Sequence, residues 1–147
     1  GRHGGFGLNI KASGDLGVDD HHLVEDVAIA LGSAIRRAIG DKHGIGRYGY
    51  WLPMDEASSK ASLDLSGRPY FKFIGSIPTA KVGGISSEMF PHFFSSLAST
   101  LLMSLHMECQ GDNSHHLVES MYKSVGRALR PALAKTEGTV PSTKGVL

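Results

Sequence analysis

His21-His22-Leu23-Val24-Glu25 recurs letter for letter as His115-His116-Leu117-Val118-Glu119, and this repeated pentapeptide decides how the chain is read. The same offset of 94 residues pairs Gly32 with Gly126, Ala34 with Ala128, Arg36 with Arg130 and Ala38 with Ala132. Upstream, Leu8–Asp15 (LNIKASGD) parallels Leu105–Asp112 (LHMECQGD), once a three-residue difference in loop length is allowed. Two copies of one structural unit are the simplest account, and a repeat constrains architecture before it constrains chemistry.

Each box opens a helix-like pattern. Leu23, Val27, Ala30, Leu31, Ala34, Ile35 and Ala38 recur at helical spacing, and Gly40 stands where a helix would stop. The spacing predicts helices over His21–Ile39 and His115–Leu133, the second with Pro131 near its end. The turn Gly14–Asp20 offers capping carboxylates to the first. A strand is expected at Leu8–Ala12, after the glycine-dense Gly1–Gly7, and another at Thr100–Cys109. Between them the chain predicts a short aromatic strand around Arg47–Trp51 and a helical turn at Met54–Ser59. Extended segments follow at Lys60–Leu65 and Tyr70–Ile77, flanking the turn Ser66-Gly67-Arg68-Pro69. Lys81–Gly84 reads as a loop, and Ser86–Ser99 as a helix capped by Ser86 or Ser87.

Strands and helices interleaved in two similar halves predict an α+β fold, with helices packed on one face of each sheet. The expected organisation is one domain over residues 1–147, a tandem duplication of pseudo-repeats at about 1–80 and about 81–147. The first is incomplete: it lacks the helix that precedes the strand in the second. That helix is expected upstream of Gly1, and with no initiator Met the chain reads as shortened.

Composition bounds the function. A chain of 147 residues buries roughly two-thirds of its unfolded surface. A formal net charge of +1 argues against nucleic acid as an obligate partner. No apolar run approaches the roughly 20 residues needed to cross a bilayer, so no membrane partner is expected. Cys109 is the only cysteine, which rules out an intrachain disulfide and fits a reducing compartment.

The chemistry lies in the boxes. Residues four apart share a helix face, so His21 lies over Glu25 and His115 over Glu119. Neighbouring residues differ by about 100° around the axis, so His21 and His22, like His115 and His116, point at different ions. Imidazole with carboxylate suits divalent first-row metals, and the absence of thiolates argues against a cysteine-type structural zinc site. A lone His-x-x-x-Glu on a helix is ordinarily a surface pair. Two copies at matched positions, each with a second histidine, turn the reading to metal binding. His92 taken alone is equally a helix-face histidine packed on aromatics, and His106 is core or surface. His3 and His43, in glycine-rich loops, carry little information. Lys123 follows Glu119 by four residues, which by itself is an ordinary ion pair. Arg47, Arg68, Ser142 and Lys144 lie in loops, strand ends or the tail; solvated side chains and an anion site are both open for them.

Taken in order, HHLVED, GRYG, PMDEA, DLSGRP, PHFF, LHM, NSHHLVE followed by Tyr122-Lys123, and the terminal PSTKGVL resemble imidazoleglycerol-phosphate dehydratases of histidine biosynthesis over essentially the whole chain. The resemblance implies a duplicated unit like the second domain of ribosomal protein S5. It implies trimers that assemble into 24-subunit particles, with di-manganese sites between subunits, in the cytoplasm or, in a plant, the plastid. Carried over by motif, the metal ligands are His21, His22, Glu25, His92, His115, His116 and Glu119, binding two Mn2+ per active site. Other divalent metals remain open. The substrate's phosphate falls to Arg47, Arg68, Ser142 and Lys144, with Lys123 near the reacting carbons. The implied catalytic set is Lys123, His21, His115, Glu25 and Glu119.

The reaction so implied removes water from imidazoleglycerol phosphate to give imidazoleacetol phosphate, with metal on the substrate's ring helping to expel the hydroxyl. A Leu-Asp-His-Met histidine and an N-terminal acid/base glutamate of the family have no counterpart here. The 147-residue chain is therefore expected to be inactive, or nearly so, by itself. Two alternatives stand beside the lyase: a truncated metal-binding or assembly form, and a histidine-rich metal-sequestering module.

Overall fold

The computed structural model describes residues 1–49 and 52–135. Its elements are α1 (His21–Ile39), β1 (Tyr48–Gly49), β2 (Leu52–Met54), β3 (Ala57–Asp64), β4 (Tyr70–Ile74), β5 (Lys81–Val82), β6 (Ile85–Ser86), α2 (Met89–Leu101), β7 (Ser104–Gln110) and α3 (Ser114–Leu133). The class is α+β, and each pentapeptide stands at the start of a helix.

Five strands form the main sheet. Its order is β1-β3-β7-β4, and β2 also pairs with β3. β3 and β7 are antiparallel, with Lys60 opposite Glu108 and Ser62 opposite His106. β4 runs parallel to β7. A parallel pair needs a long crossover, here supplied by the β5–β6 hairpin and α2. Alternation along the strands separates two faces. Ala57, Ser59, Ala61, Leu63, Leu105, Met107 and Cys109 are buried, while Lys60, Ser62, His106, Gln110, Tyr70 and Lys72 are exposed on the other side. His106 is thus a surface residue, its ring 5.3 Å from Tyr70.

α3 lies across the buried face with Leu117, Met121, Val125, Ala128, Leu129 and Ala132 in the core. A 2.9 Å bond joins the buried hydroxyls of Ser59 and Ser120 at this contact, so neither is left unsatisfied. α2 adds Phe90, Phe93, Phe94, Leu97 and Leu101. α1 packs on α2 through Ala28, Gly32 and Ile35. A Cβ at Gly32 would stand 3.0 Å from Thr100 Cβ and 3.2 Å from Leu97 O, so glycine lets the two helices approach.

Several local expectations fail, each for a physical reason. Leu8–Ala12 is not a strand: it lies unpaired beside α1, and residues 1–7 hold no strand either. A strand needs a neighbour for its amides and carbonyls, which β7, its repeat counterpart, finds in β3 and β4. Helices do pack on one face of the main sheet, and the other sheet among the described residues is the short β5–β6 hairpin. Met54–Ser59 is not a helical turn. Met54 closes β2, Asp55 takes a left-handed φ of 49°, and β3 begins at Ala57. Pairing with β7 outweighs the helix-forming character of Met-Asp-Glu-Ala.

Lys81–Gly84 is part of a hairpin, turning on Gly83 and Gly84 at positive φ. Neither Ser86 nor Ser87 caps α2. The Ser86 amide donates to Asp20, and the Ser87 hydroxyl to Thr79 O. Helix continues through Thr100, so β7 starts only at Ser104. Asp20 correspondingly gives α1 no cap; Asp19 accepts from the His21 amide instead, at 2.9 Å.

Candidate functional site

His21 and Glu25 occupy the first turns of α1, and the α1–α2 packing carries His92 to them. His21 Nε2 lies 3.8 Å from Glu25 Oε2, and His92 Nε2 lies 3.5 Å from Glu25 Oε1. The rings of His21 and His92 are 4.6 Å apart. Further along, Gly32 meets Leu97 and Leu101, so α1 and α2 run in the same direction and their first turns face each other. One donor atom from each of His21, Glu25 and His92 lies within 4.8 Å of the others. His92 Nε2 is buried and has no hydrogen-bond partner. A buried nitrogen of this kind calls for an explanation. A divalent cation held by two imidazoles and a carboxylate provides one that fits the donor chemistry.

In the second box the adjacent imidazoles part company. His116 Nδ1 lies 2.9 Å from Glu56 Oε2, and His115 Nε2 lies 3.6 Å from Glu119 Oε2. The His115 and His116 rings are 6.2 Å apart at 62°, and those of His21 and His22 5.7 Å apart at 71°. Asn113 fixes this helix start by accepting from the amides of both His115 and His116. His115 is strongly exposed, 74% by side chain. Lys123 Nζ lies 2.7 Å from Glu119 Oε1 and 3.2 Å from Met54 Sδ.

Charge is distributed accordingly. The hydrogen bond from His116 holds Glu56 below the usual carboxylate range, and the same bond raises His116. Lys123, through its hydrogen bond, lowers Glu119. Asp20 is lowered by the backbone amide of Ser86. Burial pushes the Tyr122 hydroxyl up; its ring packs among Phe90, Phe93 and Phe94.

Glu56 was not assigned a role in the sequence. Its only signal was an acidic doublet after Pro53-Met54. Nothing local says that the tight β2–β3 turn brings that doublet to His116, with Asp55 in the same cluster.

The basic residues separate. Arg47 is half-buried and pairs with Asp64, Nε to Oδ1 at 2.5 Å and Nη2 to Oδ2 at 3.0 Å. Its backbone is fixed by α3: Arg47 N donates to Ala132 O and Gly46 N to Ala134 O. Arg68 is exposed in the turn after β3. Ser142 and Lys144 lie outside the described residues. Among the described residues no helix is long and apolar enough to cross a membrane.

Comparison with known proteins bears on the whole arrangement. A family model described as imidazoleglycerol-phosphate dehydratase matches residues 1–129. The histidine biosynthesis bifunctional protein HisB of Stenotrophomonas maltophilia K279a is 54% identical over 147 residues, all of this chain and 41% of that protein. The HisB of Legionella pneumophila Philadelphia 1 is 55% identical over 146 residues, 99% of this chain and 42% of that protein. The chain thus spans about two-fifths of the length of these curated relatives. The crystal structure of imidazoleglycerol-phosphate dehydratase from Staphylococcus aureus N315 matches with a TM-score of 0.84 and 38% identity, over 92% of this chain and 77% of that one. The Pyrococcus furiosus enzyme in complex with (S)-C348 matches with a TM-score of 0.79 and 38% identity, over 92% and 74%. On these matches the chain belongs to the imidazoleglycerol-phosphate dehydratase family.

Proposed function

We propose that this chain carries the metal-dependent dehydration of imidazoleglycerol phosphate to imidazoleacetol phosphate, a lyase step of histidine biosynthesis. The observation that supports it most is the convergence of His21, Glu25 and His92 around a buried imidazole nitrogen that makes no hydrogen bond. In this reading His21, His22, Glu25, His92, His115, His116 and Glu119 hold manganese or a similar divalent ion. The two boxes are completed by boxes of other copies in a trimer-based homo-oligomer, of 24 subunits by resemblance to the family. Bound metal would supply Lewis acidity toward the substrate's imidazole.

The chain's own residues do the rest. The reaction takes a hydroxyl from the carbon attached to the ring and a proton from the next carbon, and the resulting enol becomes the ketone. In this reading Lys123, 2.7 Å from Glu119, is the group that moves a proton. Arg47 and Arg68, with Ser142 and Lys144 of the tail, hold the phosphate and so fix which carbons meet Lys123. This chemistry belongs to the cytoplasm, or to the plastid in a plant.

A second reading, binding and assembly without turnover, is favoured by the half-open apolar side of α1 beside residues 8–13. One experiment tests both. Mn2+ is titrated into the metal-free chain, and imidazoleglycerol phosphate is then followed by NMR for the ketone carbon. Two sites per chain and ketone formation support the dehydratase. Two sites without turnover support the assembly form. No saturable uptake, or uptake unchanged by His92→Gln, overturns the metal reading altogether.

A further inference from the structure

Lys42 is a buried cation to which the mechanism above gives no task. It is 6% exposed, and its Nζ donates to Leu65 O at 2.8 Å. Leu65, itself fully buried, joins the end of β3 to the turn that carries Arg68. The same residue donates its amide to Arg47 O at 3.3 Å. On the next residue, the Ser66 hydroxyl bonds both the amide and the carbonyl of Arg68, at 3.3 and 3.4 Å. One short stretch, 65–66, therefore ties Arg47 on one side to Arg68 on the other, and Lys42 holds it from within.

Two further observations speak against a filler role. Lys42 and Arg47 both adopt left-handed backbone, with φ of 63° and 65°. Residues with side chains keep that conformation only where their surroundings over-determine it. Charge points the same way: burial disfavours the Lys42 ammonium most, Arg36 opposes it next, Asp64 favours it and Arg47 opposes it. An apolar side chain of the same length would fill the space without that desolvation. Only a lysine ammonium also satisfies the buried Leu65 carbonyl, at the cost of that desolvation.

We propose that Lys42 is a positioning residue for phosphate recognition: by gripping the Leu65 carbonyl it sets Arg47 and Arg68 relative to one another so that both address one phosphate group. The inference rests on the phosphate reading of Arg47 and Arg68 given above and adds to it a residue that never touches the ligand.

The test uses the full 147-residue chain with inorganic phosphate as the probe, and Mn2+ uptake and thermal melting as parallel measurements. Lys42→Met should weaken phosphate binding by about tenfold or more, the scale of losing a hydrogen bond to a charged group. Mn2+ uptake should be unchanged, and the melting temperature should fall by no more than the loss of one hydrogen bond explains. Lys42→Arg should recover most of the phosphate affinity. Wild-type phosphate affinity in Lys42→Met, with affinity lost in Arg47→Gln, overturns the role of Lys42 and leaves the phosphate site standing. Parallel loss of phosphate, manganese and melting temperature, with no recovery by arginine, marks a merely structural lysine and also overturns it. No phosphate binding by the wild-type chain removes the phosphate reading, and this inference with it.

Discussion

α1 and α3 carry the same pentapeptide in their first turns and apolar side chains at matched positions, yet they are buried differently. On α3, Leu117, Met121, Val125, Ala128, Leu129 and Ala132 all lie in the core. Their counterparts on α1 are Leu23, Val27, Leu31, Ala34, Ile35 and Ala38. Of these only Ile35 is buried, while Ala34 and Ala38 are exposed. α3 has β3 and β7 beneath it; α1 has residues 8–13 as unpaired chain and rests on α2 instead. A hydrophobic stripe thus makes a helix adhesive without saying to what. Helix formation is written in local periodicity, whereas burial depends on which surfaces the rest of the chain supplies.

The largest test of this difference removes equivalent side chains. Met121→Ala should cost about 2–5 kcal/mol, the usual range for emptying a filled core site. Val27→Ala, its counterpart on α1, should cost about 1 kcal/mol or less, as at sites with little packing to lose. Urea unfolding of both variants checks the pair, and equal losses would break the comparison.

The helix ends offer a smaller contrast. A Cβ at Gly46 would fall 1.9 Å from Pro131 O, because the loop bearing Arg47 is pressed onto the end of α3. Gly40, after α1, has φ of 57° and open space around it. Gly46→Ala should therefore destabilise by about 3 kcal/mol through overpacking and weaken any ligand of Arg47. Gly40→Ala should cost only the strain of a positive-φ backbone outside the left-handed helical region, about 1–2 kcal/mol. Melting temperatures rank the two, and the reverse order would mean that the loop can lift off α3.

These contrasts also mark what was readable in the chain. The span of α1 was legible because its stripe and the glycine after it are local signals. Leu8–Ala12 alternates like a strand, but alternation cannot state whether a neighbouring strand is present. Met54–Ser59 misled because good helix formers sit in a turn whose shape is set by the register of β2 on β3. In the candidate site, the His21–Glu25 relation follows from helix geometry alone. The arrival of His92 depends on the glycine contact between α1 and α2. Glu56 and Lys42 reach their partners His116 and Leu65 across 60 and 23 residues, distances over which sequence pattern carries no pairing information.

The smallest effect concerns the boxes themselves. His116 of α3 bonds Glu56, whereas His21 of α1 meets His92 of α2 and its own helix's Glu25. In metal-free protein the Glu56–His116 bond should give stability a pH signature. His116 is raised by the bond, so its contribution is complete below the ordinary imidazole value of about 6.5 and is lost as pH climbs through the raised one. Glu56 is lowered, so its contribution is complete above the ordinary carboxylate value and is lost as pH falls through the depressed one. The two together leave a window centred on mildly acidic pH. Both side chains face solvent, so the amplitude should be slight. Melting curves of wild type and Glu56→Gln, taken in chelator across that range, should differ most inside the window and converge toward alkaline pH. His116→Gln should give the same curve as Glu56→Gln, since either change removes the one bond. A difference that instead grew with rising pH would mean that His116 is neutral in the folded chain.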